Sequence, residues 1–195
     1  VRVNGDQVVL QGTDKKEISL PLAKLSAADQ QYVKARLTPP INPEQAIAAL
    51  EKIGARIKKD DDGNIVSVDR ADKLTDEGLV YLKGMTSLTS LDLGETTITD
   101  AGVAHLTALN KLESLWINKT QITDAGLLHL KELTKLQCLY LNFTQTTDAG
   151  LVHLKGLTNL KRLTLEGTKI TNTGLEHLKG MTKLQLLSVK TSTIS

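Results

Sequence analysis

The sequence predicts an α/β protein whose larger part is a right-handed solenoid, with parallel strands on a concave side and short helices on a convex side. A small, mostly β segment precedes it. Three observations carry this. Four lines of 24 residues follow one another in register from Leu91. Each line holds a strand-like alternation followed by a helix-like spacing. The first 38 residues share neither pattern.

The lines read LDLGETTITDAGVAHLTALNKLES, LWINKTQITDAGLLHLKELTKLQC, LYLNFTQTTDAGLVHLKGLTNLKR and LTLEGTKITNTGLEHLKGMTKLQL, and LSVKTSTIS starts a fifth. Upstream, residues 66–90 are the same unit, read with one residue inserted before Leu74. Residues 65–195 are thus expected to form five units plus a C-terminal stub. The pairs Leu91/Leu93, Leu115/Ile117, Leu139/Leu141, Leu163/Leu165 and Leu187/Val189 point alternate side chains inward, as a short strand does. Thr-Asp then precedes Gly-Leu-x-His-Leu, where Leu127 and Leu130 stand three apart on a helical face. Thr123 or Asp124 can cap the free N–H groups, and the column Asp76, Asp100, Asp124, Asp148 (Asn172 in the last full unit) reads as helix caps suited to the positive helix end. Lys83, Lys131, Lys155 and Lys179 fall in the last turn, and Gly84, Gly156 and Gly180 take the expected left-handed position after it. Gly78, Gly102, Gly126, Gly150 and Gly174 allow close approach.

This pattern resembles the leucine-rich repeat family, in the bacterial form with a Thr-x-Ile-Thr-Asp-Ala-Gly-Leu core. The family's L-x-x-L-x-L-x-x-N-x-L falls here on Leu112, Leu115, Ile117, Thr120 and Ile122. The Asn position is occupied by Thr96, Thr120, Thr144, Thr168 and Ser192. The family's stacked Asn satisfies backbone groups in the turn, and a hydroxyl column is expected to do so with fewer bonds. The resemblance implies the solenoid fold and says little about function.

Before the repeats, residues 43–53 place Ala46, Ile47, Leu50 and Ile53 on one helical face, with Asn42 as N-cap, Pro43 at the first position and Gly54 as the stop. ARIKK, DDGN and IVSVD then read as a hairpin, so residues 43–64 are expected to cap the first coil, whose leucines would otherwise face water. Residues 39–42 form a Pro-rich linker. Residues 1–38 predict two or three short strands, with turns at Asn4-Gly5 and residues 12–16, and a capped helix over SAADQQYVKARL. GDQVVLQ and EISLPLAKLSAADQQYV resemble about the latter half of the SH3-like homology domain of endocytic adaptors. In those proteins the domain binds short peptides.

Composition excludes several classes. Among 195 residues, Lys+Arg 24 against Asp+Glu 22 gives +2, no mandate for binding nucleic acid or an anionic membrane. One cysteine cannot form an internal disulfide or a Cys-rich zinc site. No apolar run approaches membrane-spanning length, so no membrane insertion is expected. The chain opens VRVNGDQ without Met, which reads as a processed protein or a cut piece. The compartment stays open, and export after removal of a leader is compatible with these features.

His105, His129, His153 and His177 recur at one position, with Tyr81 in the first unit. No helix offers a second ligand four residues on, and packed helices sit too far apart to share one ion, so the column reads as packing rather than metal binding. Cys138 lies on the strand side, away from any histidine, and is not read as a nucleophile. No phosphate-cradling loop or convergent carboxylate pair is present, so neither enzyme activity nor a cofactor is expected. The positions that the repeat leaves free lie on the concave face. There the only Trp, the only Phe and one of three Tyr fall together. Trp116, Tyr140 and Phe143, with Asp92, Asn118, Asn142, Arg162 and Glu166, form the expected binding face for a protein or peptide. The alternative is a structural spacer or regulatory region of a larger envelope or secreted protein, with no dedicated ligand here. The final strand offers an open edge, so the expectation is a truncated array, a short cap, or a monomer that can pair edge to edge through its uncapped C-terminal repeat.

Overall fold

The computed structural model describes residues 2–4, 7–11, 17–25, 42–69 and 71–190. The chain divides into two compact units, Val1–Asn42 and Pro43–Ser195. In the first, β1 (Arg2–Asn4), β2 (Gln7–Gln11) and β3 (Glu17–Pro21) form an antiparallel meander, in which Val9 pairs with Arg2 on one side and Ser19 on the other. A 3-10 turn, Leu22–Lys24, follows. The expected helix over residues 26–37, the linker up to residue 41, Gly5, the turn at 12–16 and the terminal residues 191–195 with Ser192 lie outside the described residues.

The second unit starts with α1 (Pro43–Lys52), which has Pro at its first position and buries Ala46 and Leu50. Gly54 ends it at φ 93, a conformation that costs glycine nothing. The hairpin of β4 (Arg56–Lys59) and β5 (Ile65–Asp69) follows. Asp60 closes its turn by accepting from the N–H groups of Asp62 and Asn64. From β5 onward the sheet is parallel, through β6 (Ser90–Asp92), β7 (Ser114–Trp116), β8 (Cys138–Tyr140), β9 (Arg162–Thr164) and β10 (Leu186–Ser188). Leu91, Leu115, Leu139, Leu163 and Leu187 stand in one register column.

The first coil differs from the expected alignment. Val68, not Val66, pairs with Leu91, so this coil is one residue shorter between strand and turn than the others, rather than one longer. Val68 is fully buried, whereas Val66 lies outside the stretch that pairs with β6 and is only half-buried.

Each later coil crosses back through a short helix: α2 (Asp100–Val103), α3 (Asp124–Leu128), α4 (Asp148–Leu151) and α5 (Asn172–Leu175). Such helices are too short to stand alone and depend on tertiary packing. Their leucines meet the inward strand residues in one continuous core, where Leu91, Leu93, Leu106, Leu115, Ile117, Leu127 and Leu130 are fully buried. Each such side chain contributes about 1.5–3 kcal/mol of burial.

The Asp column is not a set of helix caps. The caps are Thr99, Thr123, Thr147 and Thr171, whose hydroxyls accept from the N–H two residues on at 3.2–3.3 Å. The carboxylates reach into the next coil. Asp76, Asp100, Asp124 and Asp148 accept from the N–H of Thr99, Thr123, Thr147 and Thr171 at 2.7–2.8 Å through Oδ1. Their Oδ2 atoms accept from the same threonines' hydroxyls at 2.6–2.7 Å. A Cβ at Gly102, Gly126, Gly150 or Gly174 would collide with Oδ1 of that carboxylate, so each of these glycines makes room for the preceding coil's Asp.

Two further expectations concern the turns. Gly84, Gly156 and Gly180 do not take the left-handed conformation; they are exposed, and Ala108 and Glu132 occupy the same position in other coils. Among the described residues of the repeats, the left-handed ones are Glu95, Lys119, Phe143 and Gly167, at φ 55–67, just past β6, β7, β8 and β9. The threonine column acts as expected of a hydroxyl. Thr96, Thr120, Thr144 and Thr168 are buried and donate to the carbonyls of Leu93, Ile117, Leu141 and Leu165 at 2.6–2.8 Å, closing the turn within each coil.

The carboxylate link makes a specific prediction. Asp124→Ala should cost about 2–3 kcal/mol in urea denaturation, because it removes two hydrogen bonds to a charged acceptor; Asp124→Asn should cost less, because Oδ1 can still accept. Gly150→Ala should be costly in the wild-type background and clearly less so beside Asp124→Ala, which removes the carboxylate clash and leaves the Leu127 Cδ1 contact at 3.0 Å.

Candidate functional site

The strand residues that alternate with the buried leucines form a ribbon. β7 and β8 set Trp116 directly beside Tyr140, and the rings stack with centroids 5.1 Å apart and planes at 6°. Both are half-buried, so their edges still meet solvent. Phe143 sits just past the strand, 56% exposed, and its ring occupies the space a Cβ at Gly167 would need. Its backbone is left-handed, which costs a side-chain-bearing residue roughly 1–2 kcal/mol. The conformation holds because the Phe143 N–H donates to the Glu166 carbonyl of the next coil at 2.7 Å. Lys119 and Glu95 fill the same position in the two preceding coils and form an exposed ion pair of 2.7 Å, a weak contribution.

The polar members of the expected face are partly committed to the stack. Asn142 Oδ1 accepts from the Glu166 N–H at 2.9 Å, and Glu166 Oε1 accepts from the Ser188 hydroxyl at 2.6 Å. The Asn118 carboxamide lies over Gly94, and Asp92 Oδ1 accepts from the Gly94 N–H at 2.9 Å. Arg162 is exposed and pairs in register with Cys138. Thr164, beside Tyr140, is only 7% exposed, and its hydroxyl has no partner. By strand alternation Thr164 falls on the same face as Tyr140, and only packing reveals that it is covered.

Charge is uneven along the ribbon. Burial pushes the Asp92 carboxyl up; the Gly94 N–H opposes this, and the nearby carboxylates of Asp69, Asp72 and Glu95 add to it. Asp69, Asp72, Asp92 and Glu95 thus cluster near the N-terminal end of the ribbon, where β4 sets Arg56 beside Asp69, and Arg162 and Lys190 lie toward the other end. On the helix side the histidines are half-buried. Burial, together with the Lys83 ammonium and against Asp76, holds the His105 imidazole below its ordinary value, favouring the neutral ring. Among the described residues no group of His, Cys, Asp and Glu could hold a metal ion, and no helix is long and apolar enough to cross a membrane.

Two outcomes follow for this face. Thr164→Val should raise stability by about 1 kcal/mol, because it removes an unpaired buried hydroxyl at nearly constant shape. Asp92 keeps its proton to higher pH in the folded chain than in the unfolded one, so its ionisation lowers stability as pH rises from 3.8 through the raised value. Asp92→Asn, whose Oδ1 can still accept from Gly94, should stabilise the chain at neutral pH, and the gain should vanish near about pH 3 in denaturation curves.

The sequence pattern of the family described as Leucine Rich repeat matches residues 84–107. No curated protein matches the chain. Similar solved structures include an internalin from Listeria monocytogenes, 24% identical, with a TM-score of 0.45 over 59% of this chain and 38% of that one. Internalin C2 from the same organism is 26% identical, with a TM-score of 0.46 over 56% of this chain and 55% of that one. The ectodomain of the receptor kinase SOBIR1 from Arabidopsis thaliana is 13% identical, with a TM-score of 0.47 over 78% of this chain and 94% of that one. The chain thus spans about two fifths and just over half the length of the two internalins. The matched stretch is one repeat length, and its buried leucines, turn threonine and Thr-Asp-x-Gly link recur coil after coil: these 24-residue coils are leucine-rich repeats.

Proposed function

We propose that this chain is a non-enzymatic interaction scaffold that grips a protein loop or peptide across the concave ribbon of its repeats. The observation that carries the reading is the aromatic trio. Framework positions hardly vary, yet Trp116, Tyr140 and Phe143 stand together where the repeat leaves the residue free. Phe143 is both exposed and conformationally costly, a combination that packing of the coil does not require. The three rings would anchor the partner, and Asp92 at one end with Arg162 at the other would set its orientation by charge. Asn118, Asn142 and Glu166 would contribute through the groups that their links within the stack leave free.

Those internal links also favour a second reading, a spacer whose ribbon serves only the solenoid. The two part experimentally. Peptides selected by display on the immobilised wild-type chain should bind about tenfold or more weakly to Phe143→Ala and to Tyr140→Ala, with denaturation midpoints showing both variants folded. Unchanged affinity in both folded variants would sink the gripping surface, and failure to select any peptide would favour the spacer.

A further inference from the structure

A second surface lies on the return from each helix to the next strand, where Glu113, Gln137 and Lys161 immediately precede β7, β8 and β9. Glu113, Lys135, Gln137, Asn159, Lys161 and Lys183 line one open groove of about 400 Å³ that crosses four coils. Side chains one repeat apart are joined along it. Gln137 Nε2 donates to Glu113 Oε2 at 3.0 Å, and Lys161 Nζ donates to Gln137 Oε1 at 2.8 Å. On a parallel rail, Lys183 Nζ donates to Asn159 Oδ1 at 2.6 Å, while Asn159 Nδ2 donates to the Thr134 carbonyl at 2.9 Å.

The acceptors on these lysines are carboxamides, not carboxylates. Lys161 and Lys183 are therefore oriented without being neutralised, and among the described residues no carboxylate pairs with either of them or with Lys135. This contrasts with Lys119, whose charge is answered by Glu95, and with Lys179, which pairs with Glu176. Three ammonium groups against the one carboxylate of Glu113 leave the groove positive in a chain whose overall charge is close to balance. Ammonium groups held in place before binding lose less freedom when an anion arrives.

We propose that this groove docks an acidic, extended peptide segment of a partner protein. Three coil steps of about 4.8 Å span roughly 14 Å, the length of about four extended residues. Glu113 at one end opposes a uniform polyanion but suits a peptide that places a neutral or basic residue there. The groove lining carries no aromatic ring to stack on a base or sugar, and no arginine fork for phosphate. The site is independent of the aromatic ribbon.

The test uses a fluorescein-labelled decapeptide of alternating Glu and Ser, and its Gln-Ser counterpart, in anisotropy titrations at about 0.01 M ionic strength, where screening is weak. The Glu peptide should bind saturably. Binding should weaken about fivefold or more for the Gln peptide and for the Lys161→Gln/Lys183→Gln variant, while Trp116→Ala binds as wild type. Exposed Lys→Gln changes should leave the denaturation midpoint nearly unmoved, which excludes misfolding as the cause. The proposal is overturned by an absence of saturable binding, by equal binding to the double variant, or by loss in Trp116→Ala, which would move the site to the ribbon. A thymidine oligonucleotide or a heparin fragment that binds tighter than the Glu peptide and fails on the double variant would overturn the choice of partner.

Discussion

The solenoid depends on a carboxylate that serves the next coil rather than its own. In Thr-Asp-x-Gly at residues 99–102, 123–126 and 147–150, the threonine caps its own helix and the aspartate holds the following coil's threonine by N–H and hydroxyl together. The glycine leaves the space into which the preceding aspartate fits. Three residues of one motif thus serve three successive coils, and the link can form only when the coils are stacked in register. Burial of leucine is non-directional and would tolerate slippage. A carboxylate accepting two short hydrogen bonds at one spot does not, so leucines supply the drive and aspartates set the pitch.

That arrangement frees the other side of the coil. Because the convex links and the buried leucines specify the stack, residues on the concave ribbon and on the return flank are constrained only by their immediate neighbours. The ribbon uses part of this freedom for its own cohesion, as Asn142 and Glu166 show. It leaves aromatic edges in the middle and opposite charges toward its ends. The left-handed residue after each strand is where the two demands meet. Its N–H continues the ladder to the next coil, and its side chain is thrown outward at the rim, where Glu95, Lys119, Phe143 and Gly167 differ completely.

Much of this was legible in the chain itself. A repeat of fixed length with Leu-x-Leu pairs announces the stack and the buried side chains of all but the last strand, where Leu187 is exposed, and the hairpin and helix before it carry their own turn and cap signals. What failed were expectations drawn from one unit considered alone. Asp in a helix's first turn reads as a cap in isolation, and Gly after a helix reads as a left-handed stop. Neither signal reveals that the carboxylate has a better donor one coil away, or that the left-handed turn falls after the strand instead. The first coil's register failed for a related reason, since Val66 and Val68 both fit the alternation and only pairing with β6 chooses between them.

By itself the sequence determined the period, the inward leucines and the cluster of aromatic residues at unconstrained positions, because each is a property of spacing along the chain. Only the tertiary structure decided which atoms answer the aspartates, that Thr164 is covered, and that Lys161 and Lys183 are held by neutral carboxamides. Those depend on side chains a whole repeat apart being brought within hydrogen-bonding distance, a relation that no single line of the repeat contains.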